Sequence, residues 1–291
     1  MSIRVILAPV LNGIASTAGA TSLRAAFTLA SEFGAHVEGL HVRADPRAAI
    51  PYIGEGMTAD VIQELCDAAE HDGLERAARA EAVFEEERQR TGLARVEGGQ
   101  AGPAPSAGWS ATVGETVQVV SSRARTVDLS VIGRPGDIAG DGARNLFEGL
   151  LFRSGRPLLV VPGDREFTTP ERIAIAWNGS PEAARAVACA LPFLTRAKQV
   201  TIVSVGTLAE GLPDADALAQ YLHWHGAKAM PTGAGEANED DGQALLGAAR
   251  SADANLIVMG AYTHSRWREI ILGGVTRYML ENTSLPLFMV H

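Results

Sequence analysis

Only two cysteines occur in 291 residues, Cys66 and Cys189, and neither belongs to a CxxC pair. That excludes a disulfide framework and a zinc knuckle, and leaves two small packing residues suited to a reducing compartment. Aromatic residues are scarce at 5%. No apolar run approaches the roughly 18 residues of a membrane span. The longest runs, such as 157–161 and 256–259, have the length of buried strands. The opening stretch Met1-Ser2-Ile3-Arg4-Val5-Ile6-Leu7-Ala8-Pro9 is too short and too early in charge for a secretory signal, so the expectation is a cytoplasmic chain with no membrane partner. Positive charge is also in deficit, with 25 Lys+Arg against 34 Asp+Glu and a net charge of −9. A field of that sign disfavours nucleic acid and anionic lipid as partners.

Several catalytic signatures are missing as well. There is no GxxxxGK[ST] loop, no complete GxGxxG, no GxSxG elbow and no HExxH. His223-Trp224-His225 is a close histidine pair, but i and i+2 diverge on a helix and no third ligand stands at metal spacing. Asp240-Asp241 is better read as charge at a helix start. No nucleophile and base emerge as a pair, so the catalytic and metal assignments are none.

What is present is a repeat. Asp128-Leu129-Ser130-Val131-Ile132-Gly133 and the later Arg156-Pro157-Leu158-Leu159-Val160-Val161 are answered by Asn255-Leu256-Ile257-Val258-Met259-Gly260 and Leu285-Pro286-Leu287-Phe288-Met289-Val290. The offsets are 260 − 133 = 127 and 286 − 157 = 129. Arg4–Pro9 aligns with Arg172–Trp177 at an offset of 168, so about 40 extra residues lie within the first copy. Two domains are expected, 1–163 and 170–291, joined across Pro162-Gly163-Asp164 and Thr168-Thr169-Pro170.

Short β-rich runs alternate with amphipathic ones in each copy, the signature of a parallel sheet covered by helices. Strands are expected at 3–10, 36–43, 107–113, 128–133 and 157–161, then at 172–177, 199–205, 227–230, 255–259 and 286–290. Helices are expected near 19–33, 57–91, 114–125, 143–153, 181–195, 214–225, 239–252 and 265–281, and loops at 97–106 and 231–242.

The most informative stretch runs from Met259-Gly260 through Tyr262 and Thr263 to Gly273-Gly274-Val275-Thr276. A buried strand ends at a glycine, a polar loop follows, and a glycine pair leads into a helix. Glycine lets backbone N–H groups approach a phosphate, and the helix start adds a positive dipole end without any lysine. The same glycines could instead only end a strand and let a helix pack closely.

These residues resemble the universal stress protein family, whose domains carry Gly-x2-Gly-x9-Gly-Ser/Thr after the fourth strand and close on a Pro-Val-Leu-Val-Val-type strand. The resemblance extends over both halves and is to the tandem members. It implies an α/β protein of two tandem Rossmann-like domains, each a five-stranded parallel sheet in order 3-2-1-4-5, binding ATP or another adenine nucleotide between strands one and four. Mg²⁺ or Mn²⁺ could accompany the phosphates. Carried over by position, the nucleotide-binding residues are Ala176 and Asn178 after the first strand, Val205 after the second, Met259 and Gly260 after the fourth, then Thr263, Gly273, Gly274, Val275 and Thr276. Asn178 replaces the family's Asp, Thr263 its second glycine, and Tyr262 a frequent Arg, which predicts weak binding. The first copy keeps Gly133-Arg134-Pro135-Gly136 but has Leu11 at the Asp position and Leu146-Phe147 where Gly-Ser is expected, so it is expected to be a degenerate partner. The resemblance further implies a pseudo-dimer of the halves meeting through their closing strands, with a homodimer of the whole chain left open. Two readings remain beside a nucleotide-binding or sensing module: a nucleotide-free interaction module of the same fold, and an ATP-cleaving α/β enzyme.

Overall fold

Apolar runs of four to eight residues, rich in Val, Ile and Leu, are too short for stable helices and pair side by side instead. In the computed structural model they form one 11-stranded sheet, with strands β1 (Val5–Pro9), β2 (His36–Arg43), β3 (Ala94–Arg95), β4 (Ser106–Val113), β5 (Leu129–Gly133), β6 (Leu158–Val161), β7 (Arg172–Ala176), β8 (Gln199–Ser204), β9 (Ala229–Gly233), β10 (Leu256–Gly260) and β11 (Leu287–Val290). The structure describes every residue except 1, 12–16, 50–57, 97–104, 139–140, 206–207, 234–240 and 262–273. The described helices are α1 (Thr17–Phe33), α2 (Ala59–Thr91), α3 (Thr116–Ala124), α4 (Asp141–Arg153), α5 (Pro181–Leu194), α6 (Ala215–Trp224), α7 (Asp241–Ser251) and α8 (Gly274–Asn282).

The strand order is β3-β4-β2-β1-β5-β6-β11-β10-β7-β8-β9. With the edge strand β3 set aside, the first half runs β4-β2-β1-β5-β6 and the second, read from the opposite edge, β9-β8-β7-β10-β11, so each has the order third, second, first, fourth, fifth. All pairings are parallel except one: β6 and β11 run antiparallel, with Leu158 opposite Met289 and Val160 opposite Leu287. Each closing strand thus covers the edge of the other, which removes two apolar edges from solvent.

Strand alternation divides the core into two layers. Leu129, Val131, Ile173, Ile175 and Phe288 face α1, α2, α5 and α6, whereas Ile132, Ala174, Val203 and Met289 face α3, α4, α7 and α8. Across the junction, Phe193 of α5 packs edge-on against Phe33 of α1 at 5.0 Å and against Phe288 at 5.6 Å.

Hydrogen bonds fix the equivalence of the halves. Asp128 accepts from the N–H groups of Arg4 and Val5 at 2.8 and 3.0 Å, and Asn255 accepts from those of Glu171 and Arg172, both at 3.0 Å. Val5 is therefore equivalent to Arg172, an offset of 172 − 5 = 167, one less than the sequence alignment gives. Two apolar strands slide past each other by one residue without changing the match in residue type, and only the pairing at their ends decides.

The extra residues of the first half lie between its second and third strands. There α2 has 33 residues where its counterpart α6 has 10, and β3 adds an edge strand that the expected five-stranded sheet lacks. With two residues, β3 is too short to carry a periodic signal. At the opposite edge, β9 contains Pro231, a residue that edge strands tolerate.

Candidate functional site

β7 and β10 lie side by side, with Met259 opposite Ala176, but their following helices depart to opposite faces of the sheet, α5 to one and α8 to the other. Such a reversal opens a crevice beyond the carboxyl ends of the strands, where ligands of open α/β sheets bind. Ala176 is half-buried, Met259 is 3% exposed, and Val205 is half-buried just past β8.

After β7 the chain turns sharply. The Asn178 carboxamide oxygen accepts from the Ser180 N–H at 3.1 Å, Gly179 adopts φ 70°, and the Ser180 hydroxyl caps α5 by accepting from the Ala183 N–H at 3.1 Å. Trp177 is 6% exposed and its indole N–H donates to the Pro213 carbonyl at 2.9 Å, tying the loop before α6 to the end of β7. Sequence reasoning gave Trp177 no role; an indole inside a strand end is a signal for such a tie.

Gly260 has a packing reason of its own. A Cβ there would stand 2.5 Å from the Ala183 nitrogen and 2.7 Å from the Glu182 carbonyl carbon, so the first turn of α5 lies directly on it. Gly274 is the first described residue of α8, with no described atom within 4 Å of where a Cβ would be; Val275 is half-buried, and Thr276 is 4% exposed. The first N–H groups of a helix have no partner inside it, which is the property an anion uses. Thr263 and Gly273, with Tyr262, lie outside the described residues, as does the first part of the helix expected at 265–281.

The first half differs at each equivalent place. Val10 stands for Trp177 and Leu11 for Asn178. Counted back from the helix ends at Ser154 and Thr283, which accept alike from Arg156 and Leu285, Leu146 corresponds to Val275 and Phe147 to Thr276. Leu146 and Phe147 are 1% and 2% exposed, so both are core side chains of α4. The Gly133–Gly136 loop is also engaged: Arg134 pairs with Asp137, whose carboxylate accepts from the Gly163 N–H at 2.8 Å. At the end of the second strand, His41 and Ser204 are equivalent, and each has a buried polar atom without a partner, His41 Nε2 and Ser204 Oγ. The His41 Nδ1–H donates to the Val10 carbonyl at 2.7 Å, and burial pushes the imidazole below its ordinary 6.5, with Arg43 and Arg76 adding to that depression.

Among the described residues, no group of three His, Cys, Asp or Glu side chains is placed to hold a metal ion, and no helix is long and apolar enough to cross a membrane.

The fold and the glycine pattern together define a class. Residues 170–291 match the Universal stress protein family. The whole chain also superposes on solved structures. A universal stress protein from Archaeoglobus fulgidus DSM 4304 aligns with a TM-score of 0.71 at 14% identity, covering 100% of this chain and 99% of that one. A proposed universal stress protein from Pseudomonas aeruginosa UCBPP-PA14 gives a TM-score of 0.52 at 15% identity, over 99% of this chain and 93% of the other. These likenesses are of fold. No curated protein matches the chain in sequence.

Proposed function

We infer that the chain is a tandem universal stress protein whose second domain, 170–291, binds one adenine nucleotide, ATP or a relative, as a sensing module. The observation that supports this reading is the reversal of winding direction between β7 and β10, where Met259 lies opposite Ala176 and Asn178 and Val205 follow the carboxyl ends of β7 and β8. Backbone donors there would meet phosphates, with Thr263 and Gly273 contributing if they follow the family pattern, and Mg²⁺ or Mn²⁺ would bridge phosphate oxygens. The first domain, 1–163, serves as a partner without a nucleotide of its own, and the antiparallel β6–β11 ladder supports an intramolecular pseudo-dimer. The acidic charge disfavours nucleic acid as a partner, and the proposed role is in a cytoplasmic stress response. Calorimetric titration with ATP and AMP, together with mass spectrometry of any copurifying small molecule, tests the reading. One site per chain is expected; two equivalent sites, or none at millimolar nucleotide, would reject it.

A second reading has its own observation. Gly260 is accounted for by α5 lying on it, and Asn178 by its turn with Ser180, so neither requires a ligand. A nucleotide-free interaction module would keep both residues. Its melting temperature would be unmoved by ATP, whereas a ligand specific to the folded state raises it.

A further inference from the structure

Helix α2 outruns the sheet it packs on. Its buried residues are Gly73, Ala80, Phe84 and Glu87, all in the later part, while 59–72, a span of 72 − 59 + 1 = 14 residues, contains no buried residue. At 1.5 Å per residue that is about 21 Å of helix with little beneath it. The stripe that faces the core nevertheless continues along it. Ile62, Cys66, Gly73, Ala80 and Phe84 share one side at helical spacing; Ile62 and Cys66 are only half-buried, and the flanking Val61 and Leu65 are each 42% exposed. An isolated helix of this length is marginal in water, so an apolar stripe left bare on it calls for a cover.

The charge beside the stripe says what kind. Glu64 stands beside Val61 at i+3 and Glu70 beside Cys66 at i+4, one on each flank, Asp72 follows Leu65 at i+7, Asp60 and Asp67 lie on the far side, and no lysine or arginine occurs from 59 to 75. Among these, Asp72 is paired with Arg76 at 2.5 Å and Asp67 accepts from Gln63 at 2.8 Å. Asp60, Glu64 and Glu70 have no ion-pair partner among the described residues. A second copy laid antiparallel on the same stripe would set carboxylates against carboxylates. We propose that residues 59–72 of α2 form a docking surface for a cationic amphipathic helix of another protein, whose leucine-type face covers Val61, Ile62 and Leu65 and whose lysines or arginines meet Glu64 and Glu70 on the flanks. This is the helix-on-helix mode of peptide recognition, with charge selecting the partner. It is independent of nucleotide binding, since the surface lies in the insertion of the first half.

The test uses the full chain and a fluorescein-labelled 18-residue peptide of leucines at i, i+3 and i+4 spacing with lysines elsewhere. Its controls are a glutamate counterpart and a lysine peptide with the same leucines in scattered order. Anisotropy titration is expected to show saturable binding of the patterned lysine peptide alone. V61S/L65S should weaken it at least tenfold, and E64Q/E70Q should weaken it several-fold and flatten its salt dependence. All four positions lie outside the buried core, so unchanged circular dichroism is expected. Equal binding of the scattered peptide, or V61S/L65S binding like the parent, would mean general attraction to an acidic protein and would overturn the proposal. Self-association of the parent chain that V61S/L65S abolishes would overturn it too, by showing that a second copy covers the stripe.

Discussion

Arg134 donates from Nη1 to the Thr283 carbonyl at 2.6 Å, a bond between the glycine loop of the first half and the end of α8 in the second. Its Nε and Nη2 are held by Asp137 at 3.0 and 2.7 Å, so the guanidinium arrives at the junction already oriented. A cation at the carboxyl end of a helix also meets the negative end of its dipole.

Arg134→Ala should therefore destabilise the protein by about 1 to 3 kcal/mol, the range for hydrogen bonds to charged groups. For a chain of this size that is a drop of roughly 2 to 10 °C in melting temperature. Arg134→Lys should recover only part of it, because an ammonium cannot keep Asp137 in a bidentate grip while reaching Thr283. A calorimetric melt of Arg134→Ala that coincides with the parent would show that this bond adds nothing to the junction.

Gly39 on β2 lies beneath an aromatic stack. A Cβ there would stand 2.4 Å from the Phe84 ring and 2.8 Å from the Trp109 ring, and Phe84 is itself packed on Phe27 at 5.2 Å. Gly39→Ala should cost about 1 to 3 kcal/mol by overpacking. Gly136→Ala, with nothing within 4 Å, should be close to neutral. Urea unfolding of the two variants side by side checks the contrast.

Acid sensitivity should come in two windows. Burial depresses the native pKa of both His36 and His41 below 6.5, so the unfolded chain binds more protons than the folded one as pH falls. Stability is then full above 6.5 and declines below it until the native values are passed. Glu85 is held down to about 2 from 4.5, chiefly by its hydrogen bond from Arg88, and its contribution is lost only as pH falls from 4.5 toward 2. Urea midpoints measured from pH 7.5 to 5 should fall in the parent. His41→Gln, which can still donate to the Val10 carbonyl, should flatten that slope; an unchanged slope would assign the window to other groups.

Much of this architecture was legible because buried parallel strands leave continuous apolar runs. The run 36–43 has the same bounds in the sequence reading and in the structure, 129–133 differs from expectation by a residue at its start, and 256–260 is shifted by one residue at both ends. Asp128 and Asn255 recur before these runs, and their role, anchoring the start of the first strand, became readable only with the hydrogen bonds. Arg134 could not be read at all, because its partner Thr283 lies 149 positions away. Gly260 shows the limit at the site itself. One glycine satisfies both a phosphate motif and a helix that approaches within 2.5 Å, and sequence cannot separate the two demands.

That double demand determines which substitutions can test nucleotide binding. Gly260→Ala would drive a methyl into the backbone of α5 near Ala183, so it should lower stability and affinity together and cannot tell ligand from fold. Gly274 faces open space, and Gly273 precedes it in the motif. Gly273→Val should block the approach of phosphates, lowering ATP affinity at least tenfold. Gly133→Ala, in the loop of the first half, should leave ATP affinity within twofold even where it alters stability. Binding is expected to be weak, because Asn178 offers a neutral side chain already turned toward Ser180 and no arginine stands at 262. Titrations should therefore extend to millimolar nucleotide with excess Mg²⁺. A Gly273→Val protein that binds ATP as the parent does, at an unchanged stoichiometry of one, would place the ligand away from α8 and remove the basis of the assignment.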